Sequence, residues 1–134
     1  MNDCLFCKII AKQVPANIVY EDEQTIAFLD IFPVSKGHML IVPKEHAVTL
    51  HLNSRNSTLA IMETAHKLAR PAMEALDASG YNLGMNCGID AGQEIMHTHL
   101  HFMPRYSGQS RSFTKTKTSR EELAEVAALI IKKL

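Results

Sequence analysis

The chain has 134 residues and a mass of 14.9 kDa, a length that suits one domain able to bury a core without disulfide staples. Hydrophobic residues make up 46% and charged residues 21%, and 14 Lys+Arg balance 14 Asp+Glu, which argues against a general nucleic-acid binder with its basic surplus. No apolar run reaches the length of a membrane span, Met1-Asn2-Asp3-Cys4 lacks the start of a secretory signal, and three cysteines are an odd count, so a reducing, cytoplasmic setting is expected, with no membrane partner.

Leu5 to Ile10 suggests a turn or two of helix ending near Pro15. Ile18–Tyr20 and Thr25–Asp30 read as a hairpin around Glu21-Asp22-Glu23. Pro33, Ser35 and Gly37 mark a loop, and His38–Val42 a short strand stopped by Pro43. A helix is expected from about Ser57 to Ala78, with Leu59, Met62, Ala65, Leu68 and Ala69 on its apolar face. Pro71 should kink or break it, and Gly80 should stop it. Tyr81–Met85 reads as a strand, 86–92 as a loop, and Ile95–Met103 as a second strand ended by Pro104. The polar stretch after Arg105 carries Arg111, Lys115 and Lys117 and no acid. It reads either as a solvated loop or as a reach toward polyphosphate. Ser119 and Glu122 form a capping-box signature, followed by a stripe of Leu123, Val126, Ile130 and Ile131. The order β-β-β-α-β-β-α with short links gives an α+β class with an antiparallel sheet.

His97-Thr98-His99-Leu100-His101 is the informative segment. On a strand these three imidazoles share one face, the outer two about 13 Å apart at the backbone. That span is too long for three rings to close on one metal ion, and better suits an extended anion. A neutral central imidazole is a competent nucleophile toward phosphorus, with its neighbours steadying the developing charge. A hydrogen bond from its other nitrogen to a backbone carbonyl would fix the required tautomer.

The run Gln93 to Arg105 resembles the signature of the histidine triad (HIT) superfamily. Phe6-Cys7-Lys8-Ile9-Ile10, Ala27 to Ile31, Gly37 to Lys44 and Gly80 to Leu83 are similar to family segments in family order. The resemblance implies a HIT-like fold over 1–134: a core to residue 106, a polar loop at 107–118 and a C-terminal helix at 119–134. It implies a nucleotide hydrolase or transferase in which His99 attacks an α-phosphate. A nucleotidyl-histidine forms, and water releases a nucleoside monophosphate. His101 would contact the phosphate and leaving group, Gln93 would lie beside the α-phosphate, and His38 would support the triad from the neighbouring strand. Asp30 would hold the ribose hydroxyls. Leu5, Phe6, Ile9, Phe28 and Ile31 would form the slot for the base, with Asn86, Gly92 and Ile95 at further pocket positions. A homodimer is implied, and no organic cofactor or nucleic-acid partner. Glu94 stands where the family often has a small hydroxyl residue.

Cys4-x-x-Cys7 is by itself equally a half zinc site, a redox pair or two packed residues. The resemblance points to one branch of the superfamily in which a structural zinc is held by Cys4, Cys7, His46 and His97. Cys87 has no partner in that scheme. The substrates implied are dinucleoside polyphosphates such as diadenosine tetraphosphate, or alternatively purine nucleoside phosphoramidates. Glu94 and the His-Phe-Met-Pro-Arg run lean toward the first. Two other classes compete: a nucleotide-binding scaffold with little turnover, and a cupin-like metal enzyme built on a His-x-His pair.

Overall fold

The computed structural model describes residues 3–134; Met1 and Asn2, the first two residues of the stretch read as lacking a signal, lie outside the described residues. Five strands form one antiparallel sheet: β1 (Ile18–Glu21), β2 (Thr25–Leu29), β3 (Met39–Pro43), β4 (Gly80–Gly84) and β5 (Leu100–Arg105), in the order β1-β2-β3-β5-β4. Three helices accompany it: α1 (Leu5–Ile10), α2 (Arg55–Leu76) and α3 (Arg120–Lys132). The expected α+β class is the observed one. Among the described residues, no helix is long and apolar enough to cross a membrane.

Strands β2 and β3 are buried throughout, and apolar but for Thr25, because both of their faces are covered. Ala27, Leu29, Met39 and Ile41 join Ile61, Leu68 and Ile130 of the two long helices in one core. The alternate residues Ile26, Phe28, Leu40 and Val42 join Phe6 and Ile9 of α1 in a second. Phe28 pairs with Leu40 and Leu40 with His101. Since opposed residues share a face, His101 falls on the α1 side, and Phe102 on the long-helix side.

Helix α2 begins at an N-cap, Ser54, whose hydroxyl accepts from Ser57 N, and it departs from expectation in three respects. Its buried face includes Ser57, Ala60, Ile61, Thr64, Ala65, Leu68, Ala72 and Leu76. Leu59 and Met62 point outward, 55% and 52% exposed. The helix runs through Pro71 unbroken. The carbonyl that loses its partner there belongs to Lys67, an exposed residue, so water can take the bond. The stop is Asp77 in the left-handed region (φ 54°), not Gly80, which opens β4. Aspartate tolerates that conformation better than most side chains.

Strand β5 starts at Leu100, not Ile95, and continues through Pro104 to Arg105. Thr98 draws the preceding segment away from the ladder, its N–H and hydroxyl both donating to Ala47 O. Beyond Phe102 the strand pairs with β4 alone, so Pro104 loses no rung by lacking an N–H. In α3, Ser119 accepts from Glu122 N, but Glu122 turns to the Thr118 hydroxyl, so only half of the capping box forms. Ile131 is 48% exposed and leaves the predicted stripe; Ala127 takes part in the buried face instead. Gly37 sits at φ +88°, where a Cβ would lie 2.2 Å from Leu76 Cδ1; the tight turn it permits delivers His38 to the start of β3.

Candidate active site and metal centre

A pocket of about 520 Å³ opens on the α1 side of the sheet, within the size range of small-ligand sites. Leu5, Phe6, Ile9, Phe28 and Ile95 line it, and Ile31 joins them from a position 58% exposed. Phe6 meets Phe28 edge-on at 5.3 Å and the His99 ring edge-on at 5.1 Å. Asp30, Asn86 and Gly92 also line the pocket. Asp30 Oδ1 accepts from Phe32 N, and burial pushes its carboxyl above the usual range. Asn86 Nδ2 reaches Gly92 O at 3.5 Å.

Hydrogen bonds assign the imidazole protons. His99 Nδ1 donates to the carbonyl of His97 at 2.7 Å, which leaves Nε2 as the lone-pair nitrogen of a ring that lines the pocket. Burial lowers the pKa of His99, favouring the neutral form. The backbone N–H of Val34 donates to His38 Nδ1 at 3.1 Å. His38 must therefore carry its proton on Nε2, which lies 2.9 Å from His101 Nδ1 and donates to it. His101 in turn carries its proton on Nε2. Burial depresses both His38 and His101 to about 4, so this relay is neutral at pH 7. Two neighbouring rings, 5.0 Å apart at their centroids, thus offer a lone pair and an N–H.

His97 is not the third member of that row. Its ring turns toward Cys4, Cys7 and His46. His97 Nδ1 lies 3.4 Å from Cys4 Sγ, 3.6 Å from Cys7 Sγ and 3.0 Å from His46 Nδ1, and Cys7 Sγ lies 3.3 Å from His46 Nδ1. Ligands of a tetrahedral zinc would be spaced about 3.3 to 3.8 Å apart, given Zn–N and Zn–S bonds near 2.0 to 2.3 Å. His97 Nε2 donates to Pro43 O at 2.8 Å, leaving Nδ1 proton-free and aimed at the cluster, as a supported ligand requires. The donor set fits zinc. Cys4 is also the N-cap of α1, its sulfur accepting from Cys7 N, so the short helix itself sets the two thiols side by side. All three cysteines are free and Cys87 is exposed.

Asp30, His38 and His101 are also close enough to suggest a metal site, and Asp30 Oδ2 is 3.7 Å from His38 Nε2. The proton assignment argues against it. With Val34 N–H already on His38 Nδ1, a metal on Nε2 would require an imidazolate.

Gln93 is held by backbone groups. It is buried and does not line the pocket. Its Oε1 accepts from Gly88 N, and its Nε2 donates to the carbonyls of Val48 and Ile95, so it fastens the 86–95 loop. The polar stretch after β5 is exposed from 107 to 117, as a solvated loop would be, but it is not free of the site. It folds back as a strap, and Phe113 and Lys115 line the pocket. The basic residues of the run, read as a reach toward polyphosphate, were the sequence signal for Lys115; Phe113 had only its aromatic ring in a polar setting.

The HIT domain profile matches residues 11–108. The chain belongs to the HIT family. An uncharacterised HIT-like protein of Methanocaldococcus jannaschii is 39% identical over 123 residues, covering 92% of this chain and 95% of the relative. A zinc-bound histidine triad family protein of Mycobacterium smegmatis superposes with a TM-score of 0.90 at 34% identity, over 98% of this chain and 93% of that one. An adenylylsulfatase of Arabidopsis thaliana is 39% identical over 104 residues, 78% of this HIT chain but 53% of the longer relative.

Proposed function

We propose that this HIT protein hydrolyses nucleoside phosphate derivatives at the α-phosphorus, with dinucleoside polyphosphates as the substrate class. The observation that carries the reading is the complementary protonation of two rings at one pocket, a free Nε2 on His99 and an N–H on His101. The apolar slot takes the base, and Asp30 takes the ribose hydroxyls. His99 Nε2 attacks the α-phosphorus; the N–P bond forms as the bond to the leaving oxygen breaks, and the electron pair departs on that oxygen. His101 hydrogen-bonds the phosphate as charge develops and keeps its proton. A phosphate leaving group needs no protonation to depart, whereas an amine does, and a neutral His101 is a weak acid. That favours the anhydride over the phosphoramidate. Water then attacks phosphorus, the N–P pair returns to His99, the water's proton goes to solvent, and the nucleoside monophosphate leaves. Gln93 supports the loop beside the phosphate without touching it, and His38 fixes the His101 tautomer. The Arabidopsis relative, named as an adenylylsulfatase, supports attack on an adenylyl group with an anionic leaving group.

In this reading a zinc ion held by Cys4, Cys7, His46 and His97 fastens α1 to the segment bearing His99. A closed set of four protein ligands leaves it no substrate position, and the zinc-bound Mycobacterium smegmatis relative supports it. A homodimer in a cytoplasmic setting completes the reading; the edge strand β4, with Tyr81 and Leu83 each 42% exposed, supports the dimer.

The test is mass spectrometry of protein quenched during turnover of diadenosine tetraphosphate. A nucleotidyl adduct on His99, absent from His99→Ala, is expected, with turnover of that variant lower by at least about 10²-fold. Full activity in His99→Ala, or an adduct elsewhere, overturns the reading.

A further inference from the structure

The family profile ends at residue 108, yet the pocket does not. Past that point the strap is pinned at both ends. At its start, Arg105 donates from Nε to Asn82 Oδ1 at 2.9 Å and from Nη1 to Ser112 O at 2.7 Å. At its far end, Thr116 donates from both its N–H and its hydroxyl to Pro33 O, at 2.9 and 2.7 Å. Between these anchors, Phe113 and Lys115 face the pocket.

Neither residue is placed as a loop of no consequence would place it. Phe113 leaves 60% of its surface exposed. The Arg105 guanidinium lies 4.8 Å from its ring centroid, an arrangement that holds the ring still. A fixed aromatic face at a pocket mouth is a stacking platform for a nucleobase. Lys115 Nζ donates to both carboxylate oxygens of Glu94, at 2.7 and 2.6 Å, and both side chains are more than half exposed. An exposed pair of this kind holds its cation weakly. A polyphosphate bearing several charges can outcompete one carboxylate for it. The charge of Lys115 is already felt at Asp30 and His101, whereas Phe6, Ile9 and Phe28, which form the base slot, are apolar.

We propose that Phe113 and Lys115 form the leaving-group subsite: Lys115 exchanges Glu94 for the phosphates beyond the scissile bond, and Phe113 stacks the second base. This rests on the nucleotide-hydrolase reading above. When the bond from the α-phosphorus to the bridging oxygen breaks, the electron pair stays on that oxygen. The Lys115 ammonium balances the charge left on the departing polyphosphate, and no proton need be supplied. The subsite selects leaving groups that are anionic and end in a nucleoside.

The experiment compares kcat/KM for three substrates: diadenosine tetraphosphate, adenosine 5′-tetraphosphate and adenosine 5′-monophosphoramidate. Lys115→Gln is expected to lower the first two about 10- to 100-fold, the scale of one charge-assisted hydrogen bond, and to leave the third within about 3-fold. Lys115→Arg should restore most of the loss. Phe113→Ala should lower diadenosine tetraphosphate alone. Both side chains are largely exposed, so melting temperatures should hold within about 2 °C. An equal fall on all three substrates means that the strap merely shapes the pocket, and overturns the subsite; so does no fall on any. Wild-type turnover of the phosphoramidate alone also overturns the subsite while leaving the His99 chemistry standing. No turnover of any substrate, or full activity in His99→Ala, overturns both.

Discussion

Two clusters of ligating side chains flank one short histidine segment: Cys4, Cys7, His46 and His97 on one side, Asp30, His38 and His101 on the other. By distance they look alike, since each brings its donor atoms within 4.8 Å of one another. They differ in where the protons lie. In the first, His97 gives its only proton to Pro43 O, so its second nitrogen is a free lone pair facing two thiols and another imidazole. In the second, a backbone N–H from Val34 occupies His38, and the ring passes its own N–H on to His101. The first arrangement wants a cation. The second is complete without one and ends in a hydrogen-bond donor. Closeness of ligating atoms is therefore a weaker guide to metal than the count of unclaimed lone pairs.

The largest effect should come from emptying the first cluster. One zinc per chain is expected by elemental analysis of purified protein. Because structural zinc binding contributes on the order of 10 kcal/mol in small sites, a strong chelator, or Cys4→Ser with Cys7→Ser, should lower the calorimetric melting temperature by more than about 10 °C. A metal-free protein with an unchanged melting temperature would erase the contrast between the clusters.

An intermediate effect should follow from breaking the second. His38→Ala removes the support that sets the His101 tautomer, and losses from such partners run about 10- to 100-fold. Turnover should fall by that amount while zinc content stays the same. A loss of metal in this variant would show that the two clusters are not separate.

The smallest effect is a pH dependence that belongs to the second cluster. His38 and His101 titrate near 4 when folded and near 6.5 when unfolded. Between those values the unfolded chain binds more protons, so stability rises with pH across the window. The contribution is whole above about 6.5 and is lost as pH falls toward 4. Melting curves of wild type should decline through that window, and the decline should be shallower in His38→Ala. Identical slopes would mean that other groups carry it.

The sheet was legible because its strands are apolar runs closed by turn residues, and the triad because three imidazoles at alternate positions have few structural uses. The outward turn of Leu59 and Met62 was not. The true inner face of α2 carries Ser57, Thr64 and several alanines, and Thr64 is acceptable in a core only because its hydroxyl meets that of Thr25 at 2.7 Å. No periodicity of apolar residues reveals such a pair. Proton placement was hidden for a related reason: it is set by backbone groups of Val34, Pro43 and His97, which carry no side-chain signature. The bonding of Gln93 was hidden in the same way, its amide being taken by three backbone groups. The strap was illegible because its anchors, Pro33 and Asn82, are distant in sequence.

Residues 107–118 add no rung to the sheet and cross the pocket tied down at Ser112 and Thr116. Insertions or exchanges between those ties touch neither the thiol cluster nor the backbone groups of Val34 and His97 that set the imidazole tautomers. On the proposed reading, descendants of this chain can diverge in what they accept at the pocket mouth while inheriting the same reacting atoms, and grafting the segment between paralogues is the natural way to replay that divergence.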